Sequence, residues 1–193
     1  MRWLRKLNRG FAALVLVILV LVGYRAILSQ TRRQEAQTLE RLAEDYLATA
    51  MNTEFLTTEV MEAYLTSGDS IDEFVESATY TAYYDRVKSS LLAFYPSDGK
   101  YLDYALNRLE QKWRGQLQSR ELPSFSYTAQ NVEDIRFVDD QAALSINVYY
   151  DISSEKDTSG TTMLESILFI KQNGEWKLLV ADFNTDFRSA WGY

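Results

Sequence analysis

The chain contains no cysteine and no histidine among its 193 residues. Lack of Cys removes thiolate nucleophiles, disulfide frameworks and every thiolate metal site, and lack of His removes the commonest general base and transition-metal ligand. Carboxylate, Tyr, Lys, Arg and hydroxyl groups are what remain for chemistry. Acidic residues are missing from residues 1–33, which carry seven Arg or Lys, so the remainder holds 13 basic against 27 acidic residues, a charge of −14. A domain so acidic repels phosphate backbones, and no basic patch interrupts it, which argues against nucleic-acid binding. Composition is otherwise ordinary, with 47% hydrophobic and 24% charged residues, which excludes disordered, collagenous and low-complexity chains.

One long apolar run is present. Phe11 to Val22 is wholly apolar, and Gly23, Tyr24, Ala26, Ile27 and Leu28 extend it past Arg25. As a helix, residues 11–28 reach roughly 27 Å at about 1.5 Å per residue, close to the hydrocarbon thickness of about 30 Å. Arg25 lies near one end, where its stem can reach the headgroups. A cleaved signal has the same basic start, but no small-x-small site follows the core, and without Cys there is no lipoprotein modification. The expectation is a basic cytoplasmic tail at 1–10, a transmembrane helix at 11–28 and a helical stalk at 29–50. An extracytoplasmic domain follows at 51–193, oriented by the four basic residues of the short tail.

Outside the span, residues 29–66 lack both Pro and Gly, and Leu39, Leu42, Ala43, Tyr46, Leu47, Ala50 and Met51 recur at helical spacing. A bend is expected at Asn52-Thr53 and a stop at Ser67-Gly68-Asp69. Ser70-Ile71-Asp72-Glu73 fits a capping box, and one helix is predicted from it to Phe94, stopped by Tyr95-Pro96-Ser97-Asp98-Gly99. Another runs from Lys100 to Ser119, with Leu102, Ala105, Leu106, Leu109, Trp113 and Leu117 on one stripe. After Pro123 the period becomes 2. Strands are predicted over 125–138, bulged near Glu133-Asp134, and over 143–152, 161–172 and 176–183. Asn173-Gly174 supplies a type I′ hairpin turn, and Ser153–Gly160 forms the long loop. The fold class is therefore α+β: an N-terminal transmembrane helix, then helices packed on a curved four-stranded antiparallel meander sheet.

The stretches DIRFVDDQAALSINV and LFIKQNGEWKLLVADF, placed after helices, resemble the nuclear transport factor 2-like superfamily, a cystatin-like cone in which a sheet wraps a helix. With an anchor ahead of it, the chain also resembles the bitopic scaffold component of type IV secretion and conjugation machines, and anchored extracytoplasmic proteins of Gram-positive bacteria. That resemblance implies protein docking in an envelope assembly. The alternative is a cone that holds a small apolar ligand, lined by Trp113, Tyr150, Trp176 and Phe183. Superfamily enzymes commonly use an Asp and His pair, which this chain lacks. A ketosteroid-isomerase-like set would need only a carboxylate and acidic Tyr donors, and Tyr149, Tyr150, Asp151 and Asp182 are the residues placed for it.

The aromatic stripe Tyr80, Tyr83, Tyr84, Phe94, Tyr95, Tyr101 and Tyr104 reads either as core or as a binding surface. On the second reading Tyr83, Tyr95, Tyr101 and Trp191 are the partner-binding residues. Glu44-Asp45, Glu133-Asp134 and Asp139-Asp140 lack the spacing of a calcium loop and read as solvated surface. No catalytic residue, cofactor or metal is assigned. The expected partners are membrane lipid along 11–28, other envelope proteins or a second copy of the chain, and a small apolar ligand on the alternative reading.

Overall fold

A helix of 43 residues, α1 (Arg9–Met51), begins the fold. The computed structural model describes residues 9–121, 124–153 and 158–182. Residues up to Leu39 form one compact unit and those from Glu40 a second. In the first unit the backbone is helical throughout 11–28, but most side chains of that segment lie outside the described residues. Those of Leu16 to Val20 are described, and all five are at least half exposed. Among the described residues no helix is long and apolar enough to cross a membrane.

In the second unit α1 stops where its own side chains compete for its carbonyls. Asn52 Nδ2 donates to Ala48 O at 2.7 Å and Thr53 Oγ1 to Ala50 O at 2.8 Å, local bonding that draws the backbone out of the helix. The chain then turns through residues 52–57 and restarts as α2 (Thr58–Ser67), capped by Thr57 and ended by Gly68 at φ 76°. The capping box at Ser70 is present in full: Ser70 Oγ accepts from Glu73 N while a Glu73 carboxylate oxygen accepts from Ser70 N.

The single helix expected after that box is two helices, α3 (Ile71–Val75) and α4 (Ala78–Leu91). Ser77 interrupts them because its hydroxyl caps Tyr80 N, starting a new helix on a new axis. The break lets Phe74 and Tyr80 both point inward, with ring centroids 6.1 Å apart. Helix α5 (Lys100–Ser119) has the predicted bounds, and of its stripe Leu102, Leu106, Leu109, Trp113 and Leu117 are buried while Ala105 is half-buried. The five buried positions recur at three and four residues, so they line one side of the cylinder.

Four strands follow, β1 (Ser124–Val138), β2 (Gln141–Ser153), β3 (Thr158–Gln172) and β4 (Glu175–Asp182). They pair in chain order, each antiparallel to the next. The class is α+β with a four-stranded antiparallel meander sheet. Bulges occur between Ala129 and Asn131 and between Val132 and Asp134, the second at the expected Glu133. Asn173 and Gly174 both have positive φ, 53° and 85°, as a type I′ turn demands. The ladder of β2 and β3 extends to Ser153 and Thr158, so the connection expected over 153–160 shortens to residues 154–157, which lie outside the described residues.

Alternation decides which side of the sheet is covered. Leu144, Ile146, Val148 and Tyr150 of β2, with Ile167 and Phe169 of β3, are buried on the inner face. Phe55, on the linker after α1, packs its ring 4.9 Å from that of Phe125 on β1. Helix α5 lies against β4, where Arg108 Nη1 donates to Ala181 O at 3.3 Å.

Candidate functional site

The most polar part of the interior gathers around the linker 53–56. Its Glu54 is buried, yet carries a carboxylate paired with Lys112 and with Arg108, the latter at 3.8 Å. A buried carboxylate is tolerated where cations and donors surround it. Helix α5 provides them, since Arg108 and Lys112 stand four residues apart and share one side. The same helix holds the linker at two more points: Trp113 Nε1 donates to Thr53 O at 2.9 Å, and Gln116 Oε1 accepts from Leu56 N at 2.8 Å. From α4, Tyr83 donates its hydroxyl to Phe55 O at 2.9 Å. Backbone groups that left the helix ladder at Met51 are thus satisfied by side chains.

Two further hydroxyl pairs lie in this interior. Tyr46 and Tyr95 share a hydrogen bond of 2.8 Å between their phenol oxygens. Tyr150 donates to Glu165 Oε1 at 2.7 Å, both residues being fully buried. Burial pushes the phenols up: Tyr83 and Tyr95 to about 12, and Tyr46 well above its ordinary value, in that last case with added repulsion from Tyr95. Tyr150 is raised by burial first and then by its bond to Glu165. Each therefore stays a neutral donor at ordinary pH.

A cavity opens between α1, α4, α5 and β4, lined by Tyr46, Glu54, Tyr95, Tyr101, Tyr104 and Arg108 among others. Its volume is about 20 Å³, room for roughly one water by the usual measure. Binding pockets for small organic ligands occupy about 300–1,000 Å³. That cavity is too small for such a ligand.

Of the residues expected to line a cone, Trp113 and Tyr150 are fully buried and Trp176 nearly so, and all three are packed as core. Phe183 lies outside the described residues. Two of the residues expected to bind a partner need correction: Tyr83 is buried because α4 turns it toward Trp113, and Tyr95, in the turn after α4, is buried against Tyr46 near the α1 end. Tyr101 is half-buried at the cavity rim, and Tyr104 beside it is 60% exposed. Trp191 lies outside the described residues. Of the isomerase-like set, alternation along β2 turns Tyr149 and Asp151 to the outer face and Tyr150 to the inner one, and the Asp182 side chain lies outside the described residues. Among the described residues no three carboxylates come together as a metal site.

Sequence reasoning missed Glu54, Arg108, Lys112 and Glu165. For Glu165 a signal existed: it occupies the inward register of β3 between Met163 and Ile167, where a charge requires a buried partner.

The chain matches no known protein-family profile and no curated protein. Among solved structures, it is similar to the crystal structure of the intermembrane space region of chloroplast protein ARC6. The likeness is 12% identical, covers 66% of this chain and 95% of that one, and has a TM-score of 0.33. A likeness of that degree carries no inference about function.

Proposed function

We infer that this chain is a non-enzymatic, single-pass membrane protein whose acidic domain stands outside the membrane and docks other proteins in an envelope assembly. The observation that carries the reading is the packing of the described interior. The cavity between α1, α4, α5 and β4 measures about 20 Å³, and the side chains expected to line a cone, Trp113, Tyr150 and Trp176, are packed as core, which favours recognition at the surface. The membrane part is supported by the run Leu16 to Val20, five consecutive large apolar side chains that are 50–65% exposed. Such a patch is covered by lipid or protein, and residues 11–28 supply the length to span. Four basic residues in the short tail ahead of the run, against three just after it, favour a cytoplasmic amino terminus. A cone-shaped sheet belongs to the same reading. The rings of Phe137 on β1 and Trp176 on β4 stand 6.0 Å apart, although three strand spacings of about 4.8 Å lie between their strands, which supports bending toward the inner face.

Absence of Cys makes the test clean. In intact cells, a membrane-impermeant maleimide is expected to label Tyr104→Cys, and to label Asn8→Cys only after lysis. In-cell cross-linking from position 104 is expected to capture defined protein neighbours. Equal labelling of both positions in intact cells overturns the topology, and a chain that cross-links to no other protein overturns the docking reading.

A further inference from the structure

Three arginines follow the apolar run on α1, and the chain itself makes no use of their charge. Arg25, Arg32 and Arg33 are exposed on a helical backbone. None of the three is in an ion pair or a side-chain hydrogen bond among the described residues. No acid occurs before Glu35, so the stretch from Arg25 to Gln34 is purely cationic, in a chain that carries −14 beyond residue 33. Their heights along the helix meet at one layer. With the span at 11–28 and a rise of about 1.5 Å per residue, Arg25 lies about 4.5 Å inside its end, and Arg32 and Arg33 about 6 and 7.5 Å beyond it. A headgroup layer is about 5–8 Å thick on each side of the hydrocarbon. Arg32 and Arg33 therefore stand level with the lipid phosphates, and the stem of Arg25 reaches the same level by running outward along the helix. Seven residues make just under two turns, which puts Arg25 and Arg32 on one side of α1, with Arg33 about 100° round from them.

We propose that Arg25, Arg32 and Arg33 form a collar that binds the phosphate groups of anionic phospholipids in the leaflet at the carboxyl-terminal end of the span. Guanidinium meets phosphate through two parallel hydrogen bonds as well as through charge. In a zwitterionic lipid the ammonium of the headgroup already answers its phosphate, so the net attraction favours lipids without one. Near an anionic surface each such cation is worth about fivefold in affinity. Depth selects a lipid over other anions. Two of the guanidiniums stand at the phosphate layer, and the third springs from a residue within the hydrocarbon, where a soluble anion or an acidic protein does not reach. The collar rests on the membrane part of the function proposed above and names the class of lipid engaged.

The test reconstitutes the full chain into vesicles of phosphatidylcholine and phosphatidylglycerol in a four-to-one mixture. Gln30→Cys, the only thiol in the molecule, carries a fluorophore beside the collar, and lipids with a nitroxide near the head of the acyl chain quench it on contact. Nitroxide phosphatidylglycerol is expected to reach half-quenching at a mole fraction about fivefold or more below that of nitroxide phosphatidylcholine. Adding Arg25→Gln, Arg32→Gln and Arg33→Gln together is expected to make the two lipids quench equally, while unchanged quenching by the phosphatidylcholine probe shows that the variant still inserts. If the triple variant does not insert, Arg32→Gln with Arg33→Gln, both outside the span, carries the test and is expected to lose most of the preference. Equal quenching of the parent by both lipids, or a preference kept without the arginines, overturns the collar and spares the membrane reading. A label quenched by neither lipid overturns the membrane reading, and the collar falls with it. Soluble glycerol phosphate or an acidic peptide that abolishes the preference shows that the arginines take anions from outside the bilayer, and overturns the assignment to lipid.

Discussion

Raising the pH past 10 is expected to unfold the domain cooperatively, because its tyrosines are buried as neutral donors. Tyr46, Tyr80, Tyr83, Tyr95 and Tyr150 are all buried, and burial raises each above the ordinary value of about 10. In every case the neutral form is favoured in the folded state. The stability they contribute is complete below pH 10 and is lost as pH rises toward their folded values. Tyr83, pushed up to about 12, keeps its proton while the unfolded chain gives one up. At about 1.4 kcal/mol per pH unit this costs about 2 kcal/mol by pH 12. Tyr95 reaches about 12 as well, although its bond to Tyr46 makes those two titrate jointly. Tyr80 and Tyr150 act in the same direction. Domains of this size are stable by about 5–15 kcal/mol, so unfolding is expected between pH 10.5 and 12, roughly, on these magnitudes. The assay records phenolate absorbance at 295 nm alongside far-ultraviolet ellipticity. The expected result is one abrupt step in which both change together, shifted to higher pH in Tyr83→Phe if that variant's lost hydrogen bond is allowed for. Thirteen tyrosines titrating in one broad wave near pH 10, with ellipticity intact at pH 12, would refute the reasoning.

Other expectations concern stability, read from urea midpoints. Tyr80 and Tyr83 sit three residues apart and are both buried, but the Tyr80 hydroxyl has no hydrogen-bond partner among the described residues whereas that of Tyr83 donates to Phe55 O. Tyr83→Phe is therefore expected to cost about 1 kcal/mol and Tyr80→Phe to be neutral or to stabilise by up to about 1 kcal/mol; equal costs would contradict the assignment. Trp113→Phe removes the donor to Thr53 O and part of a fully buried ring, and a loss of about 2–4 kcal/mol is expected from the orphaned carbonyl and the cavity together. Ser70→Ala breaks the capping box and should cost about 1 kcal/mol, a value that a null result in urea would exclude. Gly174→Ala forces a Cβ into φ 85° at a cost of about 1–2 kcal/mol.

Much of the fold was legible because its elements announce themselves by period and punctuation. The stripe on α5 recurs at three and four residues between Gly99 and Arg120, and β2 alternates without a fault from Ala142 to Tyr150, so both were readable from one sequence. Ser70 and Asn173-Gly174 were readable for the same reason, since each geometry demands those residue types at those spacings. Ser77 was not read, although its chemistry equals that of Ser70. Lacking a Glu at the third helical position, it stood inside what looked like an unbroken apolar period. The strand ends were misjudged by two or three residues at Thr158 and Gln141, because polar residues extend a ladder as readily as apolar ones when the partner strand is already in place.

The interior polar groups were illegible for a deeper reason. Periodicity marks which residues are apolar and therefore which face is buried, and it assigns every charge to the opposite side. Arg108 and Lys112 fit that rule in part, because their stems run along α5 while their charged ends turn back to Glu54. Glu54 itself lies on a linker with no period to betray its burial. Its position follows only once three facts combine: α1 ends at Met51, the freed backbone of 53–56 needs partners, and α5 offers Trp113, Gln116 and two cations along one side. Tertiary packing creates that coincidence. It also explains why little space is left beside the linker among the described residues: Trp113, Gln116, Arg108 and Lys112 are spent on the joint that fastens the end of α1 to α5. Loosening the joint is then the way to open the cavity. Lys112→Ala, which leaves a buried carboxylate with one cation fewer, is expected to speed amide hydrogen exchange at residues 53–56 before it affects the strands of the sheet. If protection falls uniformly across the domain instead, the joint is no more than another part of the core.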